Sequence, residues 1–148
     1  MDSINWNSYF DQLLSVYWLR PETALWRSID IEAMKDFEFG TPSLDLGCGD
    51  SIFSFIRAGG RFDITFDAFQ SIGNLDSFFD KVDIYDSYDQ PLSPIIRKTC
   101  DYRINYAFDH KENLLKKAKT LGLHEKFIVG DANERLPFED NFFNSIFS

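Results

Sequence analysis

The stretch Ser43-Leu44-Asp45-Leu46-Gly47-Cys48-Gly49-Asp50 constrains this chain more than any other. Leu44 and Leu46 make a short apolar run, Asp45 places one carboxylate in it, and Gly47 and Gly49 permit backbone torsions and close approaches that a Cβ forbids. This predicts a buried strand running into a glycine turn. Residues Ser51 to Arg57 then start a helix whose first N–H groups and positive dipole end would face an anionic group. A lone G-x-G is equally a tight turn, so further signals are needed. Two more apolar runs, Ile104 to Asp109 and Phe127 to Asp131, also end on an aspartate. In open α/β sheets ligands bind beyond the carboxyl ends of the strands, so three acids placed there imply one shared site.

The 148 residues suffice for one domain with a real core, and 44% of them are hydrophobic. A net charge of −9 and a pI near 4.6 disfavour general nucleic-acid and anionic-membrane binding, which need a basic surface. The cluster Lys111, Lys116, Lys117 and Lys119 reads as a solvated helix face. Two cysteines, Cys48 and Cys100, are too few for a disulfide framework or a thiolate metal cage. With no basic, apolar leader and no membrane-length run, the expectation is a reduced, cytoplasmic protein that binds neither membrane nor metal.

Along the chain, Phe10, Leu13, Leu14, Tyr17 and Trp18 fall at helical spacing and predict an amphipathic helix over Asn7 to Trp18. Pro21 opens a second helix, where Leu25, Ile29, Ala33 and Phe37 repeat every four residues up to Gly40. Trp18, Arg20 and Trp26 suggest a substrate entrance, although aromatic stripes of this kind usually belong to cores. Phe62, Ile64 and Phe66 alternate with Asp63, Thr65 and Asp67 as in a half-exposed strand. Up to Arg103 the chain is rich in phenylalanine and in acids, including Asp76, Asp80, Asp83, Asp86 and Asp89; it lacks the glycine and glutamate positions of a calcium loop, and solvated acids over an aromatic subcore are expected. Ile104 to Asp109 reads as a strand, Leu114, Leu115, Ala118 and Leu121 as a helix stopped by Gly122, Phe127 to Val129 as a third strand, and Phe142 to Phe147 as a fourth. Alternating strands and helices imply a parallel sheet.

Over roughly Gly40 to Ser148 the sequence resembles the class I S-adenosylmethionine-dependent methyltransferases. Leu44-Asp45-Leu46-Gly47-Cys48-Gly49 looks like the family's first motif. Asp109 matches the acid ending the second strand, and Gly130-Asp131-Ala132 with Leu136-Pro137-Phe138 and Phe142-Phe143 looks like its third-strand region. The resemblance implies an α/β fold of the Rossmann-like, three-layer α/β/α type. Its mainly parallel sheet would have the order 3-2-1-4 and be incomplete at the C-terminus, with an N-terminal helical segment (1–40) ahead of a partial cofactor domain (41–148). S-adenosylmethionine is the implied cofactor. Gly47, Cys48 and Gly49 would approach its methionine portion, Asp45 would help hold the amino group, directly or through water, and Asp109 would accept from both ribose hydroxyls. His110 would pack beside the adenine, Asp131 would accept from the adenine amino group, and the Ala132 backbone would read the ring edge.

Three departures accompany the resemblance. Ser51 stands where a third glycine is frequent, and Asn144 where an aspartate is common near the fourth strand. Asp109 follows Gly47 by 62 positions, where about 20 suffice in a nucleotide-binding βαβ unit, so residues from about 59 to 103 are an insertion, expected to cap the cofactor pocket. The implied function is methyl transfer to a small or medium-sized organic acceptor, with no catalytic base assignable. The alternatives are a non-catalytic cofactor-binding or interaction module and a nicotinamide-dependent oxidoreductase. Ile52, standing at the third glycine of G-x-G-x-x-G, disfavours the latter. With further strands expected to be missing, the chain reads as the cofactor half of an enzyme, weakly active by itself and self-associating through an exposed fourth strand.

Overall fold

A computed structural model describes residues 7–68 and 94–148. The elements are α1 (Asn7–Val16), α2 (Pro21–Ala33), β1 (Ser43–Leu46), α3 (Ile52–Arg57), β2 (Arg61–Phe62), β3 (Ile96–Lys98), β4 (Ile104–Asp109), α4 (Glu112–Thr120), β5 (His124–Val129) and β6 (Ser145–Phe147). The protein is α/β, with a parallel sheet of four strands in the order β5-β4-β1-β6. Leu44 pairs with Tyr106 and Ile146, Asp45 with Ala107 and Phe147, and Ala107 with Phe127. The steps from β1 to β4 and from β4 to β5 run the same way along the sheet. Right-handed crossovers therefore put α3 and α4 on one face.

The core on the α3 side joins α1 and α2 to the sheet. Leu13, Val16, Ala24 and Ile31 share one buried cluster with Ile52, Phe55, Ile56, Ile104 and Leu123. Phe55, Phe62 and Phe66 stack through it at centroid separations of 4.7 Å each. On the other face Lys126 donates to the Tyr106 hydroxyl at 3.1 Å, and the rings of Phe138, Phe142 and Phe143 meet Tyr106 at 5.5, 5.7 and 5.4 Å.

Several expected elements differ. Helix α2 ends at Ala33, and its buried residues are Ala24, Ser28 and Ile31. Leu25, Ile29 and Phe37 of the four-residue repeat are exposed instead, because the small side chains of Ala24 and Ser28 make the smoother face for close helix packing. The fourth strand is three residues long, not six. Phe142 and Phe143 are drawn out of the ladder by Tyr106, in a turn where Asn141 takes a φ of 59°, a left-handed torsion that asparagine tolerates. The third strand begins at His124, since its ladder to β4 is made by backbone and is indifferent to the polar His124-Glu125-Lys126.

The alternation from Phe62 to Asp67 is not a strand. After Phe62, Asp63 accepts from the Thr65 amide and hydroxyl and pairs with Arg97, which turns the chain. Phe62 and Phe66 go inward while Ile64 is 84% exposed. Asp63 itself is buried, so this acid of the insertion does not face water. Within the segment expected to be an insertion, β2 and β3 form a short antiparallel ladder, prolonged by the Asp63 amide bonding to the Ile95 carbonyl at 2.8 Å. The expectations for Asp76, Asp80, Asp83, Asp86 and Asp89 lie outside the described residues. Among the described residues no helix is long and apolar enough to cross a membrane.

Candidate functional site

Strand β1 ends where the chain must turn over the end of β4. The Gly47 and Cys48 amides both bond to the Phe108 carbonyl, at 2.8 and 3.2 Å. Gly47 and Gly49 take φ values of 70° and 56°, and a Cβ on either would meet nothing within 4 Å. The backbone is thus bare toward open space, as a closely approaching ligand requires. Ser51, where a third glycine was expected, also adopts a left-handed φ, 61°, and is buried.

Asp109 closes the turn from β4. Its Oδ2 accepts from the Gly49 amide at 2.9 Å and its Oδ1 from the Lys111 amide at 2.8 Å, and only 6% of the residue is exposed. The N-cap of α4 is Lys111, with no side-chain cap bond. Asp109 therefore braces the glycine turn against the start of α4. Its oxygens keep lone pairs for a ligand.

These residues border one cavity of about 480 Å³, which Asp45, Gly47, Cys48, Gly49, Asp109 and His110 all line. The volume falls in the range of small-molecule sites. Asp131 and Ala132 do not line it. Both are exposed, and Asp131 Oδ1 accepts from the backbone and side-chain amides of Asn133, each at 2.8 Å. These bonds, the backbone one foremost, hold its carboxyl below the usual range. Asp131 forms its own turn beyond His110, whose side chain is largely exposed.

Arg20, suggested by the sequence for a substrate entrance, does line the cavity, and residues not assigned from the sequence complete it. Arg20, Thr23 and Arg27 reach it from the start of α2, and their spacing of three and four puts them on one helix side. Arg27 also lies over the Phe53 ring, 4.6 Å from its centroid. Tyr17, Phe53 and Phe147 supply apolar wall, and Lys111 adds a cation. Trp18 and Trp26 are not in the lining; Trp18 instead donates to Asp67 at 2.8 Å. Ala68, within the segment expected to be an insertion, does line the cavity. The lysine cluster divides: Lys116 is exposed and bridges to Glu112 at 3.0 Å, whereas Lys117 is buried.

Acids form the floor. Asp45 is 1% exposed, and its Oδ2 lies 3.0 Å from His124 Nε2. Asp50, half-buried, accepts from the Ile52 amide at 3.1 Å. Desolvation pushes its carboxyl up, opposed by the Ile52 amide and by the charges of Lys117 and Arg27. Burial, reinforced by the Asp45 charge, pushes the Cys48 thiol up to about 12, which leaves it protonated and a poor nucleophile near neutrality. Helix α3 has six residues and no side-chain cap bond at Ser51. Arg20 and Arg27 at α2, with Lys111, rather than this short helix, bring positive charge beside the cavity.

Asn144, where the resemblance has an aspartate, is engaged in structural work. Its side-chain amide donates to the Thr41 carbonyl and its backbone amide to the Pro42 carbonyl, tying β6 to the entry of β1. No family model, curated protein or solved structure matches this chain.

Proposed function

We propose that this protein binds S-adenosylmethionine and transfers its methyl group to a small or medium-sized organic acceptor. The observation that carries the reading is that six of the residues the resemblance selects, Asp45, Gly47, Cys48, Gly49, Asp109 and His110, border a single cavity at the carboxyl ends of adjacent parallel strands. We further read the fold as the Rossmann-like one, in which the face bearing Tyr106 would take the third layer, and the compartment as cytoplasmic, in keeping with the free Cys48 and Cys100.

The cavity fits such a cofactor on its own chemistry. Asp45 and Asp50 suit an ammonium group, Arg20 and Arg27 a carboxylate, and Asp109 a pair of hydroxyls. The bare glycine turn gives the approach that a bulky ligand needs. When bound, the cofactor supplies a sulfonium methyl for in-line displacement. The chain's share is to orient the ligand and to exclude water with Tyr17, Phe53 and Phe147. His110, at the outer end, would stack beside the adenine, with Asp131 and Ala132 reading its edge from the neighbouring turn.

Calorimetry with S-adenosylmethionine, S-adenosylhomocysteine and NAD tests the reading. Binding of the first two without NAD is expected, followed by methyl transfer in an acceptor screen. Preference for NAD would sink it, and binding with no transfer to any acceptor would leave a non-catalytic module.

A further inference from the structure

We infer that His124 is a positioning residue that aims the Asp45 carboxylate into the cavity without cancelling its charge; this rests on the cavity's reading as an S-adenosylmethionine site. The side chains are 0% and 2% exposed, and the two residues stand 79 positions apart. In the sheet, β4 lies between their strands. His124 is in register with Ile104 of β4, and the β4 residue paired with Asp45 is Ala107, whose small side chain leaves space beside the carboxylate. The ring is further held edge-on to Phe127 at 5.8 Å.

The hydrogen-bond network assigns the proton. His124 Nδ1 is buried and has no partner among the described residues. A proton there would be a stranded donor, whereas a bare lone pair costs less, so the proton belongs on Nε2 and is donated to Asp45 Oδ2. One carboxylate oxygen is then tied and the other is left for the cavity that Asp45 lines. A lysine or arginine in place of His124 would hold Asp45 equally well but would neutralise it. A neutral imidazole fixes the geometry and preserves the negative charge, which an ammonium group of a ligand needs.

Three variants and two ligands test this. Glutamine places an amide nitrogen near the position of Nε2, asparagine falls one methylene short, and leucine removes the donor. Binding of S-adenosylhomocysteine, which carries the amino-acid arm, is compared with that of adenosine, which lacks it. His124→Leu and His124→Asn should weaken S-adenosylhomocysteine at least about tenfold, and His124→Gln by less than about threefold, with adenosine unchanged throughout. Unchanged S-adenosylhomocysteine affinity in a folded His124→Leu protein, or an equal loss for both ligands, would overturn the inference. Should the leucine variant fail to fold, the glutamine and asparagine pair decides. Wild-type protein that binds neither ligand would instead remove the methyltransferase reading. In that event ¹⁵N spectra of the ligand-free imidazole decide the positioning: an Nε2–H tautomer whose signal shifts in Asp45→Asn supports it, and an Nδ1–H tautomer overturns it.

Discussion

Replacing Asp109 by alanine removes the acceptor for two backbone donors at once, the Gly49 and Lys111 amides at 2.9 and 2.8 Å. Charge-assisted bonds of this kind are each worth about 1.5–3 kcal/mol. Water entering from the cavity can satisfy the stranded amides in part, so we expect a net loss of about 2–4 kcal/mol. For a domain of this size that is a fall in Tm of roughly 5–15 °C. Asp109→Asn keeps one carbonyl oxygen and should lose about half as much. Denaturant unfolding at constant m-value measures both, and calorimetry should show ligand affinity falling at least about tenfold in the alanine variant. The brace also explains why affinity and stability should fall together, because the turn that Asp109 holds is the turn that meets the ligand. An Asp109→Ala protein within about 0.5 kcal/mol of wild type, with unchanged affinity, would refute the reasoning on both counts.

Gly60→Ala should destabilise by about 1–3 kcal/mol, because the new Cβ would stand 2.5 Å from the ring of Phe55, a side chain with no free space to move into; denaturant titration checks it. Cys48, half-buried and with its thiol pushed up to about 12, should react with a disulfide reagent at pH 8 far more slowly than the same thiol in unfolded chain, and fast labelling of native protein would contradict a thiol held protonated. Asp63 is held down to about 2, chiefly by the Thr65 hydroxyl and amide and then by Arg97, against about 3.9 in an unfolded chain. A depressed folded value means that its stabilisation is present above about pH 4 and is lost as pH falls toward 2. The stability gap between wild type and Asp63→Asn should therefore close over that window, and a pH-independent gap would argue against the pairing. At the sheet edge, Ile146 of β6 is 55% exposed, and self-association through this strand should be visible by light scattering and abolished by Ile146→Lys; a wild-type monomer at high concentration would show that three residues are too short an edge to recruit a partner.

What could be read from the sequence is what short-range chemistry decides. The strand-and-glycine turn from Ser43 to Asp50 and the strand ending at Asp109 were legible, as was the helix that Gly122 stops, because apolar runs, an acid and a φ above zero act within a few residues. Placing the glycine turn and Asp109 on one cavity followed from the general geometry of parallel sheets. The other decisions belong to residues far apart in the chain. The buried side of α2 was chosen by what packs on it, so Ala24 and Ser28 displaced the more hydrophobic Leu25 and Ile29. Phe142 and Phe143 had strand-like sequence but a stronger claim from Tyr106 across the sheet. Arg27 was an unremarked charge until α2 turned it to the cavity. His124 was one of two histidines with nothing local to mark it. Its partner is Asp45, with β4 between their strands, and a contact across an intervening strand leaves no trace in the residues on either side of it.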